Sequence, residues 1–325
     1  MSSFPRPRRL RSTGAIRDLV AETRFSTSQL ILPVFVREGI AEPVPIHSMP
    51  GVSQHTIDSL LKEAEELLGS GVGTILLFGV TDEKDSDGSL ACRQEFVLQR
   101  AIGALKRSFG DELTVMSDLC MDEYTTHGHC GVLDSLGRVD NDRTLLRYQE
   151  LALSLAEAGV DFVAPSGMMD HQVAAIREAL DGSGLVDTGI LAYSAKYASA
   201  LYGPFRDAVE VEIAGGGNRK AYQQDYRNRR EALREIELDL EEGADMIMVK
   251  PASYYLDIIA AAREISDRPV AAYQVSGEYS MIIAAAASGF LDRESVALES
   301  LAAIFRAGAD LVLTYFAKEV KGWME

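Results

Sequence analysis

With 325 residues, 47% of them hydrophobic, the chain is long enough for one large α/β barrel or for two domains, and it does not resemble a disordered protein. Its formal net charge of −17, from 49 acidic and 32 basic residues, argues against nucleic-acid binding. No apolar stretch is long enough to cross a membrane, no secretory leader is recognisable, and three cysteines are too few for a disulfide framework, so we expect a cytoplasmic protein.

The first part of the chain is unusually basic for so acidic a protein. Its arginines are Arg6, Arg8, Arg9, Arg11, Arg17 and Arg24. Such an arm could bind nucleic acid or wrap an acidic neighbouring subunit, and the acidity of the remaining chain favours the second reading. We therefore predict an N-terminal arm for subunit contacts over residues 1–30 and a catalytic body over residues 31–325.

The body alternates between strand-like and helix-like segments. Amphipathic helices are predicted over residues 57–68, 145–158 and 229–242. A doubly wound sheet would need a glycine-rich phosphate turn after its first strand, and none is present. The pattern therefore predicts a closed (β/α)8 TIM barrel. Its eight apolar runs begin at Ile31, Thr74, Leu113, Asp161, Ile190, Asp245, Val270 and Leu311.

Two of the predicted strands end in a lysine, Lys196 and Lys250. An ammonium group beside a buried strand loses hydration, which lowers its pKa, and a neutral amine attacks carbonyl groups to form a Schiff base. A lysine whose side chain reaches back to the surface is the ordinary alternative. Two such lysines favour amine chemistry on a carbonyl substrate, and we expect neighbouring ammonium groups to lower each other's pKa.

A barrel carries its functional groups at the carboxyl ends of its strands. The segment 197–230, between the fifth and sixth strands, is predicted to be a lid over that end. Because basic and amide groups bind carboxylates, this lid suggests a substrate that carries a carboxylate as well as a carbonyl. The polar groups in question are Asp118, Ser166, Ser276 and Tyr315 at strand ends, with Arg206, Arg219 and Gln223 on the lid.

A further cluster follows the third strand. Residues 118–130 contain two thiols, several carboxylates and two imidazoles, which suggests a borderline metal such as zinc. The spacing matches no common zinc-finger pattern, so a polar loop with two incidental cysteines stays an alternative.

Several long motifs resemble those of the 5-aminolevulinate dehydratase (porphobilinogen synthase) family. They lie at residues 6–11, 118–131, 164–170, 193–199, 202–207, 248–251 and 272–279, so the resemblance covers nearly the whole chain. It implies a (β/α)8 barrel with an N-terminal arm, assembled as a homo-octamer or, in some members, a hexamer. The implied reaction joins two 5-aminolevulinate molecules into porphobilinogen and releases two waters in tetrapyrrole biosynthesis.

The resemblance also implies a role for each matching residue. Lys250 would form a Schiff base with the first substrate and Lys196 with the second. The other groups would bind the substrates rather than react with them. Ser276 and Tyr315 would bind the first carboxylate, and Arg206, Arg219 and Gln223 would bind the second. Asp118 and Ser166 would contact the substrate amino groups.

The metal loop departs from the family pattern. Zinc-dependent members have three cysteines there and zinc-free members have alanine and aspartates, whereas the matching positions here are Cys120, Asp122 and Cys130. This set could hold Zn²⁺, although a carboxylate weakens the preference for a soft metal, so zinc, another metal and no metal all stay open. The resemblance further implies a stimulatory Mg²⁺ ion at a subunit contact, with Glu235 as its carboxylate.

Two other functions are alternatives to the dehydratase. A class I aldolase needs one Schiff-base lysine and usually a phosphate site at the last strands. A non-catalytic scaffold would have no reason to keep two lysines beside a charged lid. The second lysine and the basic lid favour the dehydratase, while the balance between octamer and hexamer stays open.

Overall fold

The computed structural model describes residues 4–324, which form ten strands and eleven α-helices. The strands are β1 (Leu30–Arg37), β2 (Val44–Pro45), β3 (Ser53–His55), β4 (Thr74–Val80), β5 (Thr114–Leu119), β6 (Phe162–Pro165), β7 (Gly189–Lys196), β8 (Met246–Lys250), β9 (Val270–Tyr273) and β10 (Leu311–Leu313). The helices are α1 (Gly14–Leu19), α2 (Ile57–Gly69), α3 (Val97–Phe109), α4 (Asn141–Glu157), α5 (Gln172–Gly182), α6 (Gly203–Ala208), α7 (Arg229–Glu241), α8 (Leu256–Ile265), α9 (Ser276–Ala287), α10 (Arg293–Ala307) and α11 (Val320–Met324).

Eight of the strands close into a parallel barrel. The order runs from β10 through β9, β8, β7, β6, β5 and β4 to β1, and β1 pairs with β10. Leu30 lies opposite Val312 and Ile31 opposite Leu313, so the first and last strands of the chain seal the barrel. The predicted TIM-barrel fold is confirmed, and each of the eight predicted strands begins within one residue of its observed start.

Of the three predicted helices, α2 and α7 begin at the predicted residues 57 and 229, and only the start of α4 was missed. Helix α4 begins at Asn141, four residues before the predicted start at 145. The side chain of Asp140 accepts a hydrogen bond from the backbone N–H of Arg143, which caps the helix there. The first turn is polar, so the hydrophobic periodicity on which the prediction depended begins only later.

The arm lies outside the barrel core. Its described part contains a 3₁₀ helix at Pro7–Arg11 and the short helix α1, neither of which has a buried residue. Phe4, Leu10 and Leu19 are exposed apolar side chains on this segment. A role in subunit contacts stays a prediction, and residues 1–3 of the arm and residue 325 of the barrel lie outside the described part.

The segment predicted as a lid is partly helical and is tied to a small hairpin that was not predicted. It contains α6, and the hairpin of β2 and β3 lies beside β1. The side chain of Gln54 donates to the carbonyl oxygen of Ala208 at 2.8 Å, and the backbone N–H of Ser48 donates to Asp207 at 3.2 Å. These contacts fix α6, and with it Arg206, over the open end of the barrel. No helix between residues 4 and 324 is both long and apolar enough to cross a membrane.

Candidate active site

The two lysines are direct neighbours because of an irregularity in β7. Ala192 pairs with Ile247, and Ala195 pairs with Val249, so two residues of β7 oppose one residue of β8. This bulge shifts the register by one, and Lys196 consequently lies opposite Lys250. A regular ladder from Ala192 would have paired Lys196 with residue 251 instead.

Lys250 is buried among aromatic rings. Its Nζ lies 4.3 Å from the ring centre of Tyr273, and the rings of Tyr193, Phe205 and Tyr202 lie at 5.0, 5.1 and 5.3 Å. Burial, followed by the charge of Lys196, lowers the pKa of Lys250 to about 7. The neutral amine is therefore well populated near neutral pH, as expected from the sequence.

The pKa of Lys196 is shifted in the opposite direction. Its Nζ donates to the carbonyl oxygen of Ser166 at 2.5 Å. Burial by itself would lower the pKa of Lys196, but Cys130, Cys120 and Asp122 nearby outweigh it and hold the pKa above its usual value. The expectation that the two ammonium groups lower each other's pKa is thus right for Lys250 and wrong for Lys196, because the second lysine faces the acidic metal loop.

Both lysines open into one closed cavity at the carboxyl end of the barrel. Its volume is about 10 Å³, which leaves room for about one water molecule. The structure therefore brings together four predicted strand-end groups with two predicted lid arginines. The cavity is lined by Asp118, Ser166, Lys196, Lys250, Arg206 and Arg219, together with Phe78, Asp122, Glu123, Tyr202 and Phe205.

Two carboxyl groups in the cavity are incompletely satisfied. Asp118 accepts a hydrogen bond from the hydroxyl of Ser166 at 3.3 Å through Oδ2, while its Oδ1 makes no hydrogen bond of good geometry, although the buried hydroxyl of Tyr193 lies beside this carboxyl group. Burial raises the pKa of Asp118 to about 6, against the opposing effect of the two lysines. Glu123 is also buried, with an unpartnered Oε2, and burial raises its pKa well above the usual range, helped by Asp122 and Asp118.

The three predicted metal ligands lie together. One ligand atom from each of Cys120, Asp122 and Cys130 falls within 4.8 Å of the others, and all three side chains are buried. Asp122 is shared with the lid, since Arg219 donates to its Oδ2 at 2.7 Å and to the carbonyl oxygen of Gly128 at 3.0 Å. The Oδ1 of Asp122 faces the thiol of Cys130 at 3.6 Å, so two sulfurs and one oxygen are available and the donor set fits a zinc ion.

The lid presents several donors without partners. Arg206 is exposed at the rim, and within residues 4–324 no carboxylate lies at ion-pair distance from it. The Nε of Arg219 and the Nε2 of Gln223 are buried and make no hydrogen bond in the described part of the chain. Gln223 does not line the small cavity of the lysines, but it lines a larger cavity of about 750 Å³ together with Arg206 and Arg219, so the structure brings these three predicted groups together.

The remaining predicted residues lie near the cavity or away from it. The hydroxyl of Tyr315 is 3.0 Å from that of Tyr273, the ring closest to Lys250, and Ser276 begins α9 with its hydroxyl 3.5 Å from the carbonyl oxygen of Leu201. Glu235 lies outside the site, on α7, in a separate acidic cavity. Burial, Asp170 and Glu231 raise the pKa of Glu235.

No role was assigned from the sequence to Glu123 or to the aromatic rings around Lys250. Glu123 was visible within the metal-loop motif, but nothing in its spacing separates a buried glutamate from a solvated one. The rings come from β7, β9 and the lid, and a pattern read along one segment does not reveal contacts among segments far apart in sequence.

Comparisons with known proteins agree on one family. The family model described as "Delta-aminolevulinic acid dehydratase" matches residues 4–323. The delta-aminolevulinic acid dehydratase of Streptomyces coelicolor is 59% identical over 322 residues, which cover 98% of this chain and 97% of that protein. The enzyme of the same name from Mycobacterium tuberculosis is 56% identical over 328 positions, covering 100% and 99%.

A solved structure agrees as well. The crystal structure of delta-aminolevulinic acid dehydratase (porphobilinogen synthase) from Toxoplasma gondii, in complex with the reaction product porphobilinogen, superposes with a TM-score of 0.96. Its sequence is 46% identical, and the match covers 99% of this chain and 92% of that chain.

Proposed function

This chain belongs to the delta-aminolevulinic acid dehydratase family, and from that membership we propose how its residues divide the work of the reaction. The protein is a porphobilinogen synthase, a lyase that condenses two molecules of 5-aminolevulinate. The identities to dehydratases favour this activity over the class I aldolase alternative. The observation that carries our assignment of roles is the pairing of Lys196 with Lys250, two buried lysines with opposite pKa shifts.

Lys250 acts first in this proposal. Because its pKa is about 7, the free amine is available to attack the keto carbon of one 5-aminolevulinate. Loss of water then leaves a Schiff base at Lys250, and the iminium acidifies the adjacent carbon, as formation of a carbon–carbon bond requires. The aromatic rings around the amine keep bulk water away from it.

Lys196 acts second. It stays protonated in the empty site and must lose a proton before it attacks the second keto group. Asp118 is the nearby carboxylate that we assign as acceptor, since Ser166 contacts both Asp118 and Lys196. The different charge states of the lysines thus set an order in which two identical substrates are bound.

The carboxylates of the substrates are bound by groups that carry no reacting atom. We propose Ser276 and Tyr315 for the first carboxylate and Arg206, Arg219 and Gln223 for the second. The unpartnered donors of the lid support this assignment, because each would gain a charge-assisted hydrogen bond. Arg206, Arg219 and Gln223 also line one larger cavity together, of about 750 Å³, and two of them line the small cavity of the lysines as well, which supports a shared role in binding the second carboxylate.

Two kinds of metal site are part of the proposal. Cys120, Asp122 and Cys130 would hold Zn²⁺ with a fourth position open, and a bound zinc ion would supply Lewis-acid polarisation of a substrate group. Asp122 would then serve the ion as well as Arg219, which donates to its Oδ2. Glu235 would bind a stimulatory Mg²⁺ away from the chemistry, in keeping with its acidic cavity.

We further propose a cytoplasmic homo-octamer, or a hexamer, in which residues 1–30 contact a neighbouring subunit. The apolar side chains of the arm support this assembly, because more than half of the surface of each of Phe4, Leu10 and Leu19 is exposed in the described part of the chain. The net charge of −17 gives a basic arm an acidic surface to bind.

Borohydride trapping with 5-aminolevulinate, followed by peptide mapping, tests the assignment of the lysines. Lys196→Ala should form no porphobilinogen but should still be labelled at Lys250, whereas Lys250→Ala should lose both turnover and that label. Lys62→Ala, which removes an exposed lysine of α2 away from the site, serves as the control and should behave as the wild type. Porphobilinogen formation by Lys250→Ala near the wild-type rate would refute the proposal.

A further inference from the structure

We propose that Glu123 is a substrate-positioning residue, which together with Asp118 binds the ammonium group of the 5-aminolevulinate held at Lys250. The inference rests on the proposed Schiff-base function of Lys250 and adds to it the group that recognises the amino end of the substrate. It gives a role to a carboxyl group that neither the lysine chemistry nor the metal triad uses.

The first support is the state of the two carboxyl groups. Glu123 and Asp118 are only 3% and 6% exposed, and the Oε2 of Glu123 and the Oδ1 of Asp118 find no hydrogen-bond partner among the described residues. Leaving a buried polar atom unpaired destabilises the fold, so an unsatisfied pair beside a reactive centre points to a ligand that supplies the missing donors. An ammonium group has three N–H donors and no acceptor, which suits two carboxylate oxygens.

The second support is the geometry of the pair. One ligand atom from each of Asp118, Glu123 and Cys120 lies within 4.8 Å of the others, so the two carboxyl groups are close enough for one nitrogen to donate to both, with a thiol beside them. Both side chains line the cavity into which Lys250 opens. In 5-aminolevulinate the amino group is on the carbon next to the keto carbon, so an imine at Lys250 carries the ammonium into this same cavity.

The third support is that the other candidate groups are already engaged. Asp122 is the remaining carboxylate of the cavity, and Arg219 holds it at 2.7 Å. Lys196 is held by the carbonyl oxygen of Ser166. A cation that arrives with the substrate therefore meets Asp118 and Glu123 as the unpaired acceptors of the cavity lining within residues 4–324.

The test compares 5-aminolevulinate with levulinate, the same keto acid without the amino group. Both are titrated against Lys196→Ala, in which turnover is blocked, and the label that borohydride fixes on the Lys250 peptide gives the half-saturating concentration of each. The titrations are repeated with Glu123→Gln or Glu123→Asp added to Lys196→Ala, and with the exposed Glu112→Gln as the matched control.

We expect Glu123→Gln to raise the half-saturating concentration of 5-aminolevulinate roughly threefold to tenfold, as for one weakened hydrogen bond to the ammonium group. Levulinate should bind as before or more tightly, since it never pairs with the carboxylate. Glu123→Asp should retain part of the preference for the amino compound, and Glu112→Gln all of it. These results together would establish recognition of the ammonium by Glu123.

Two results would overturn the inference while leaving the Schiff-base assignment intact. One is an equal change for both compounds in Glu123→Gln, which would indicate a structural role. The other is a preference for 5-aminolevulinate that disappears when metal is removed by a chelator, which would assign recognition to a metal ion. Absence of any label at Lys250 with either compound would instead refute the Schiff-base assignment, and with it this inference.

Discussion

Replacing Lys250 by methionine should abolish activity and yet stabilise the protein. Methionine has a similar length and packs well against aromatic rings, but it carries no charge. In the wild type the ammonium group lies among four rings with its hydration removed, and the fall of its pKa from 10.5 to about 7 measures how strongly the folded state disfavours the charged form. Lys250→Met removes this unfavourable charge.

The size of the effect follows from the pKa values. At 1.36 kcal/mol per pKa unit, the charged lysine destabilises the fold by up to about 5 kcal/mol at acidic pH, less whatever attraction the aromatic rings supply. Between the folded pKa of about 7 and the unfolded value of 10.5, the unfolded state binds more protons, so wild-type stability rises with pH in this window. From about pH 7 to about pH 9 this gain is about 2 kcal/mol.

Urea denaturation of both proteins at several pH values, at equal protein concentration, measures the difference directly. The free energy of unfolding of the wild type should rise towards that of Lys250→Met as the pH increases from about 7 to about 9, so the advantage of the variant is largest at low pH and shrinks as the pH rises. Lys220→Met, at an exposed position of the lid, should show no such convergence. If the two curves run parallel from about pH 7 to about pH 9, the lysine is not desolvated and the reasoning is wrong.

Three further changes test the binding and metal groups. Arg206→Ala should raise KM by about one to two decades, because a charge-assisted contact of roughly 1.5–3 kcal/mol is lost. Borohydride should still fix 5-aminolevulinate on Lys250 in this variant. An unchanged KM in steady-state assays would place Arg206 outside the site. Asp122→Cys should raise the affinity for zinc, measured in competition with a chromophoric chelator. In the metal-free protein the same change should lower the free energy of unfolding by about 3–5 kcal/mol, because Arg219 loses its buried partner. Unchanged zinc affinity would count against the triad. Glu235→Ala should remove the stimulation of activity by Mg²⁺ without affecting label at Lys250, and full retention of that stimulation would contradict the assignment.

Much of the fold could be predicted because it is encoded locally. Each barrel strand is a short apolar run buried on both faces, and such runs stand out from the amphipathic helices between them. The hairpin of β2 and β3 was missed because its strands have only two and three residues and no alternating pattern. The start of α4 was missed because capping depends on Asp140, whereas the prediction followed hydrophobic periodicity.

The candidate active site could likewise be predicted only in part. Lys196 and Lys250 could be picked out because each ends an apolar run, and the motifs around them supplied the family. The role of Arg219 in the closed lid could not be foreseen, since its partner Asp122 lies far away in sequence. The unpaired oxygens of Asp118 and Glu123 likewise depend on what surrounds them in space.

By itself, the sequence determined the class of fold and the family, and it singled out the two lysines that we propose as reactive, because these depend on residue type and on spacing along one segment. The tertiary structure decided the charge of each lysine and the distance between them. One bulge in β7 brings Lys196 opposite Lys250. Burial among rings then lowers the pKa of Lys250, while the acidic loop raises that of Lys196. Desolvation and Coulomb interactions act through space, so their sum at each amine is fixed only when the barrel has closed around it.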